Sequence, residues 1–292
     1  MFPTSPWIGV GELAQSFLEE SNALPLTADL SGKTLSLHFA DGRTVEYKFQ
    51  TDHGLVWRAQ PGEIAASSAE ETYWACKIRD GIYLVDYVEH QKQATATSLV
   101  LDVNCGAFTA VVGQLPTEAE ARLDFLSRTQ SSGELTGVRV DFSHGSIDRI
   151  FAAQPPYHRI TDEMIGRRVE YIYSPTQSYE HVYLNAQFYT WHCLLGSEKG
   201  LADTDRCHYY KLGDELYLFV WREKIIPTLG VVVVDFTAMR SNGKIFGYEG
   251  NDFRKVVHFR VGAKGRLLNV TRPPAVCGDR QSPASRLPNA GA

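Results

Sequence analysis

A phenylalanine, a tryptophan and a glutamate at alternate positions, Phe219, Trp221 and Glu223, fall within the run LYLFVWRE. Side chains on an extended strand alternate between faces, so these three share one face. Val169, Tyr171 and Tyr173 align in the same way in an earlier run, as do Tyr179, His181 and Tyr183 in the next. A carboxyl enclosed by aromatic rings is desolvated, which raises its pKa and suits it to proton transfer near neutrality. Tyrosine hydroxyls and an imidazole add hydrogen-bonding groups that an apolar core does not need. The competing reading makes Glu223 a rim residue paired with Arg222, Lys224 or a more distant arginine. Under it the tyrosines are core filling with their hydroxyls at the surface.

The elements that must position these residues come from an internal repeat. At a shift of 134 residues Gly32 falls on Gly166, Glu46 on Glu180, Trp57 on Trp191, Tyr83 on Tyr217, Glu89 on Glu223 and Gly113 on Gly247. Asp102 meets Asp235 at a shift of 133, after one small gap. The matches keep their order, so the chain holds two copies of one domain. Each copy reads as a succession of short alternating strands broken by turn signals such as ADGR, RDG, LGDE and RSNGK. Many short antiparallel strands point to an all-β chain, a tandem pair of up-and-down barrels whose closure removes exposed edges. A pair of β-sandwiches is the alternative. Helices are expected near 10–19 at the start of the chain and over 117–129 between the copies. The expected domains are 1–114, then 115–272 with the linking helix, then a disordered tail from 273 rich in Pro, Ser, Gly and Asn. The segment GVRVDFSHGSI is assigned to the second copy.

Composition narrows the class. The 292 residues carry a net charge of -5 with no basic stripe, which argues against a nucleic-acid partner. No apolar run is long enough to span a membrane, and MFPTSPWIGVGEL lacks the features of a secretory signal, so a cytoplasmic location is expected. Five cysteines without CxxC spacing read as reduced thiols. Neighbours on a strand point to opposite faces, so His192-Cys193 and Cys207-His208 cannot each chelate one ion, and no metal site is expected. Gly9-Val10-Gly11 lacks the rest of a dinucleotide fingerprint, and no phosphate loop or Gly-x-Ser-x-Gly occurs. No cofactor is expected.

The copies differ where chemistry would happen. The positions matching Tyr171, Tyr173, Tyr179 and His181 are Leu37, Phe39, Val45 and Tyr47. The first copy thus keeps Trp57, Glu89 and Tyr47 as a candidate pocket with a mostly apolar wall, and the second is better equipped.

The blocks RITDEMIGRRVEYIYSP, YTWHCLLGSEKGLADTD and LYLFVWREKIIPTLGVVVVD resemble the C-terminal domain of MoaF proteins, and residues from about 7 to 114 resemble their N-terminal domain. That family takes its name from a bacterial monoamine regulon. Each half is also distantly similar to phenolic acid decarboxylases, lipocalin-like (calycin) barrels that need no cofactor. The shared features here are Gly166-Arg167, Tyr171-Ile172-Tyr173, Tyr179-Glu180 and Trp221-Arg222-Glu223. The resemblance implies Tyr171 and Tyr173 as substrate anchors and Glu223 as the acid/base. It also implies an arginine ahead of the Trp-x-Glu strand, where this chain has Gly200, with Arg206 nearby but out of register.

Two functions follow as expectations. One is a cofactor-independent lyase, isomerase or cyclase acting on a small aromatic or phenolic molecule. Glu223 would move the proton, Tyr171, Tyr173 and Tyr179 would polarise the substrate, Trp191 or Trp221 would stack on its ring, and His181 and Tyr183 would complete the wall. The other is a non-catalytic binding protein for an aromatic or amine metabolite. A homodimer is compatible with either.

Overall fold

The computed structural model describes residues 7–17, 21–60, 67–151 and 158–271. Two closed antiparallel barrels of eight strands each account for most of them. In the first, β1 (Thr34–Phe39), β2 (Thr44–Phe49), β3 (Gly54–Ala59), β4 (Ser68–Arg79), β5 (Ile82–Val88), β6 (Thr95–Asp102) and β7 (Ala107–Gln114) follow in order, and β8 (Arg139–Ile147) pairs with both β7 and β1. A two-residue strand β9 (Arg159–Ile160) precedes the second barrel. That barrel is built from β10 (Arg167–Ser174), β11 (Gln177–Tyr183), β12 (Phe188–Leu195), β13 (Ala202–Gly213), β14 (Leu216–Glu223), β15 (Thr228–Asp235), β16 (Arg240–Glu249) and β17 (Asp252–Val270). Pairing of β17 with β10 and of β12 with the first half of β13 closes it, while β9 lies on the far half of β13.

The repeat survives in detail. Gly32 and Gly166 both take positive φ, 75° and 84°, and their amides donate to the equivalent carbonyls of Phe49 and Tyr183. Tyr83 donates to Asp29, and its counterpart Tyr217 donates to Glu163. Tyr47 faces Trp57 across β2–β3 as His181 faces Trp191 across β11–β12.

Two expectations about the boundary are corrected. The segment GVRVDFSHGSI does not belong to the second copy: it supplies β8, the closing strand of the first barrel. Seven strands leave an open edge, and the linking helical segment is short enough to return the chain to that edge. The helix expected over 117–129 is two, α1 being reserved for Val10–Phe17 at the start of the chain, α2 covering Glu118–Ala121 and α3 covering Phe125–Ser132. Thr117 and Glu120 form a capping box on α2, and Asp124 stops that helix by capping the next through the Ser127 amide. The opening helix, though first in the chain, packs on β16 and β17 of the second barrel. Gly9, just ahead of it, approaches so closely that a Cβ there would lie 2.9 Å from the Gly250 Cα, and one on Gly247 would lie 2.3 Å from Val10. The tail expected to be disordered from 273 lies outside the described residues.

The barrels pack side by side. On β6, Leu99 and Leu101 point into the first barrel while Ala96 and Val100 point out of it, and on β15 Val232 and Val234 point in while Leu229, Val231 and Val233 point out. The outward sets join Leu84, Val111, Leu218 and Val220 in one shared apolar layer. This explains why TATSLVLD and TLGVVVVD are buried throughout instead of alternating with solvent. Within the layer Lys244 lies 2.8 Å from Asp86, which also meets His258 at 2.5 Å and Ser98 at 2.5 Å. Burial alone would raise the pKa of Asp86, but Lys244 and then His258 hold it below the usual carboxylate range.

Candidate small-molecule site in the second barrel

Strand parity places the expected side chains as the sequence implies. Tyr171 and Tyr173 of β10, Tyr179, His181 and Tyr183 of β11, Trp191 of β12 and Phe219 and Trp221 of β14 all face the second interior. A residual cavity of about 40 Å³ remains among them, bordered by Tyr173, Tyr179, His181, Trp191, Trp221 and Glu223. Tyr171 and Tyr183 do not border it, and their hydroxyls lie 2.7 Å apart in a hydrogen bond to each other.

Glu223 ends β14 and is half-buried as a residue. Its carboxyl accepts a hydrogen bond from Trp221 Nε1 at 2.8 Å. The cations proposed as rim partners are engaged elsewhere: Lys224 with Asp203 and Asp205, Arg222 with the Val138 carbonyl and Glu134. Burial first, and the neighbouring Asp205 carboxylate second, push the Glu223 pKa well above the ordinary range.

Three contributors escaped the sequence reading. Glu198, in the turn after β12, accepts from Tyr179 Oη at 2.9 Å and has its pKa raised by burial. Asp205 accepts from Trp191 Nε1 at 3.0 Å, and burial raises its pKa to about 6. Tyr189 borders the cavity on the same face as Trp191. Parity could have found Asp205 and Tyr189, since each stands two residues from an inward side chain (Cys207 and Trp191). Glu198 sits in a turn, where no periodicity speaks. Nor could spacing reveal that Leu13 and Phe17 of α1 cover the cavity, with Trp7 edge-on to Trp191 at 5.7 Å between centroids.

One buried ring nitrogen of this interior lacks a partner among the described residues. His181 is buried against the rings of Tyr171, Tyr183, Tyr189, Phe219 and Trp221, and its Nδ1 has no hydrogen bond. Burial pushes its pKa down to about 3, so it is neutral at physiological pH. Among the described residues no lysine or arginine borders the cavity. Arg206, the residue nearest in sequence to the arginine of the decarboxylases, points outward onto Glu134, Gln187 and the Phe188 ring. Arg168 pairs with Glu180 on the outer surface.

The first interior is different. Leu37, Phe39, Val45, Tyr47 and Phe49 are buried there in one apolar cluster, with Trp57 packed against it. Tyr47 Oη lies 3.4 Å from Tyr87 Oη, and burial pushes its pKa up to about 12. Glu89, matching Glu223, is satisfied: Thr97 donates to it at 2.7 Å and Lys92 pairs with it at 2.8 Å.

Fold and site together define a tandem eight-stranded barrel protein whose second barrel encloses carboxyls among aromatic rings. Family models for the MoaF N-terminal domain and the MoaF C-terminal domain match residues 5–117 and 158–271, and the chain belongs to the MoaF family. It is 40% identical over 267 residues to Protein MoaF of Klebsiella aerogenes, covering 91% of this chain and 97% of that protein. Neither family model reaches β8, although the first barrel is not closed without it. A solved chain from Burkholderia vietnamiensis, described as a putative beta-lactamase, aligns over its whole length with 40% of this chain at 15% identity. Its TM-score of 0.31 is too low to bear on fold or function. Among the described residues no helix is long and apolar enough to cross a membrane.

Proposed function

We propose that the second barrel receives one small aromatic molecule and exchanges a proton with it through Glu223, without a cofactor. The observation that carries this reading is the Glu223 carboxyl itself. It borders the cavity, has no cationic partner among the described residues, and is held toward its protonated form by burial and by Asp205. A carboxyl in that state can give a proton to a bound molecule and take one back near neutral pH. The hydroxyls of Tyr173 and Tyr189 and the free Nδ1 of His181 are available to orient it.

A cavity of about 40 Å³ holds little more than a water molecule. An aromatic ligand therefore requires the cover formed by Leu13 and Phe17 to swing away from the barrel mouth. This helix is eight residues long and packs on β16 and β17 through Val10 and Phe17, so the movement breaks those contacts and leaves the strand pairing of the barrel intact.

A second reading, binding of an aromatic amine without turnover, is favoured by one specific observation. Glu198, Glu223 and Asp205 approach the cavity with no lysine or arginine bordering it among the described residues, and most of the remaining wall is aromatic. That combination favours an organic cation and disfavours a carboxylate. Native mass spectrometry of the purified chain, followed by binding of phenethylamine and of 4-hydroxycinnamate, separates the two ligand classes. Glu223→Gln then separates the two functions. Loss of turnover with binding retained supports proton exchange, and unchanged turnover rules it out.

A further inference from the structure

Away from both interiors, the junction of the barrels gathers three donors of different chemistry. Asp102 ends β6, Cys105 stands in the turn to β7, and His158 precedes β9. A carboxylate oxygen of Asp102, the Sγ of Cys105 and a ring nitrogen of His158 lie within 4.8 Å of one another. Asp102 and His158 are buried, with exposures of 6% and 1%, whereas Cys105 is half-exposed and gives solvent a way in.

The histidine is the informative member. Its Nδ1 lies 2.8 Å from Thr109 Oγ1, which is itself 3.0 Å from His144 Nδ1. If the His158 Nδ1–H donates to Thr109, the Thr109 hydroxyl is free to donate to His144, and Nε2 of His158 carries the lone pair. That Nε2 is buried and has no hydrogen-bond partner. A buried nitrogen acceptor without a donor is unfavourable, and native structures rarely keep one without a use. The backbone also holds the ring here at some cost, since His158 has φ 62°, fixed by its amide donating to the Lys211 carbonyl at 2.6 Å.

We propose that Asp102, Cys105 and His158 form a binding site for a divalent transition-metal ion, with zinc the best match. A thiolate, an imidazole and a carboxylate are a borderline-to-soft set that suits zinc and not magnesium or calcium. Zinc–sulfur and zinc–nitrogen bonds place neighbouring tetrahedral ligands about 3.5 Å apart. The three atoms, within 4.8 Å of one another, thus need to draw in by up to about 1.3 Å. Asp102 Oδ1 already accepts from the amides of Asn104 and Cys105, at 3.0 and 3.1 Å, which leaves Oδ2 for the ion. On binding, the Cys105 thiol loses its proton to solvent and a water takes the fourth position. Thr109 acts as the outer partner that fixes the tautomer of the ligating imidazole. The ion would tie the chain between β8 and β9 to the first barrel, beside the point where it joins β13 of the second. Residue spacing carries no sign of this site, because only the fold brings His158 to the Asp102–Cys105 turn.

The test uses the full chain without an affinity tag, stripped with a chelator and titrated with Co²⁺ and then Zn²⁺. The expected result is one equivalent bound, with a near-ultraviolet thiolate-to-cobalt band that Cys105→Ser abolishes. His158→Gln weakens zinc at least about tenfold, and Thr109→Val weakens it by roughly 10–100-fold while keeping the thiolate band. Absence of that band from the parent chain overturns the site. So does full zinc affinity in both Cys105→Ser and His158→Gln. Circular dichroism and elution volume identify any variant that fails to fold, and Cys105→Ser, on a half-exposed turn, is the substitution least exposed to that failure.

Discussion

The two barrels share strand order, register and closing turns, yet their interiors serve opposite ends. In the first, Leu37, Phe39, Val45 and Tyr47 pack into an apolar core, and the buried acids on its inward faces are partnered, Glu89 by Thr97 and Lys92 and Glu71 by His90. In the second, the matching wall is Tyr171, Tyr173, Tyr179 and His181, and the matching acid, Glu223, has Trp221 as a donor and other carboxyls as neighbours. One scaffold therefore holds a Glu89 paired with a cation and, at the matching place, a Glu223 with none among the described residues. The lesson is that a repeated acid has no fixed role: what its neighbours donate decides whether it is structure or chemistry.

The contrast can be broken most severely at the shared layer. Asp86→Asn removes the counter-charge of the buried Lys244 and should cost about 3–5 kcal/mol. Chemical denaturation should show both barrels losing stability together, whereas a transition confined to one would show that they fold independently.

Opening the second barrel comes next. Phe17→Ala removes a ring that packs on Tyr173 and Phe259 in the second barrel's core cluster and should cost about 3–4 kcal/mol. Stopped-flow measurement of ligand uptake should show a faster on-rate. An unchanged rate would mean that access lies elsewhere.

The paired substitutions Glu223→Gln and Glu89→Gln sharpen the comparison directly. Glu89→Gln breaks an ion pair and should lower stability by about 1–3 kcal/mol with no effect on ligand binding. Glu223→Gln should act the other way, and with a definite pH dependence. The folded state raises the Glu223 pKa, so it binds the proton more tightly than the unfolded chain does. Stability from this group is complete below the unfolded carboxyl pKa, about 4.3, and declines as pH rises toward the folded value. The glutamine variant lacks that decline, so its melting temperature should gain on the parent as pH rises above the unfolded carboxyl pKa. A parallel pair of pH curves would contradict the raised pKa.

The smallest effect is expected at Arg206→Ala. This arginine faces outward onto Glu134, Gln187 and Phe188, so it should cost under about 1 kcal/mol and leave ligand affinity unaltered. A large affinity loss measured by calorimetry would restore it as an anchor for an anionic ligand.

Much of this was legible in the chain. The repeat at 134 residues and strand alternation sufficed to predict two barrels and to put Tyr173, Tyr179, His181, Trp191, Trp221 and Glu223 on inward faces, because period-two patterning is a local property. The same patterning could not separate Tyr171 and Tyr183, which bond each other, from the tyrosines that border the cavity. It also could not say where β8 or the opening helix would go. Closing a barrel and covering its mouth are decided by which edge and which opening remain unfilled, and those exist only once distant strands have paired. The sequence by itself determined the strands, their faces and the superior equipment of the second copy. The tertiary structure decided that Glu223 stands among acids without a cation among the described residues, that Phe17 closes over it, and that His158 meets Cys105, because each depends on contacts between segments far apart in the chain.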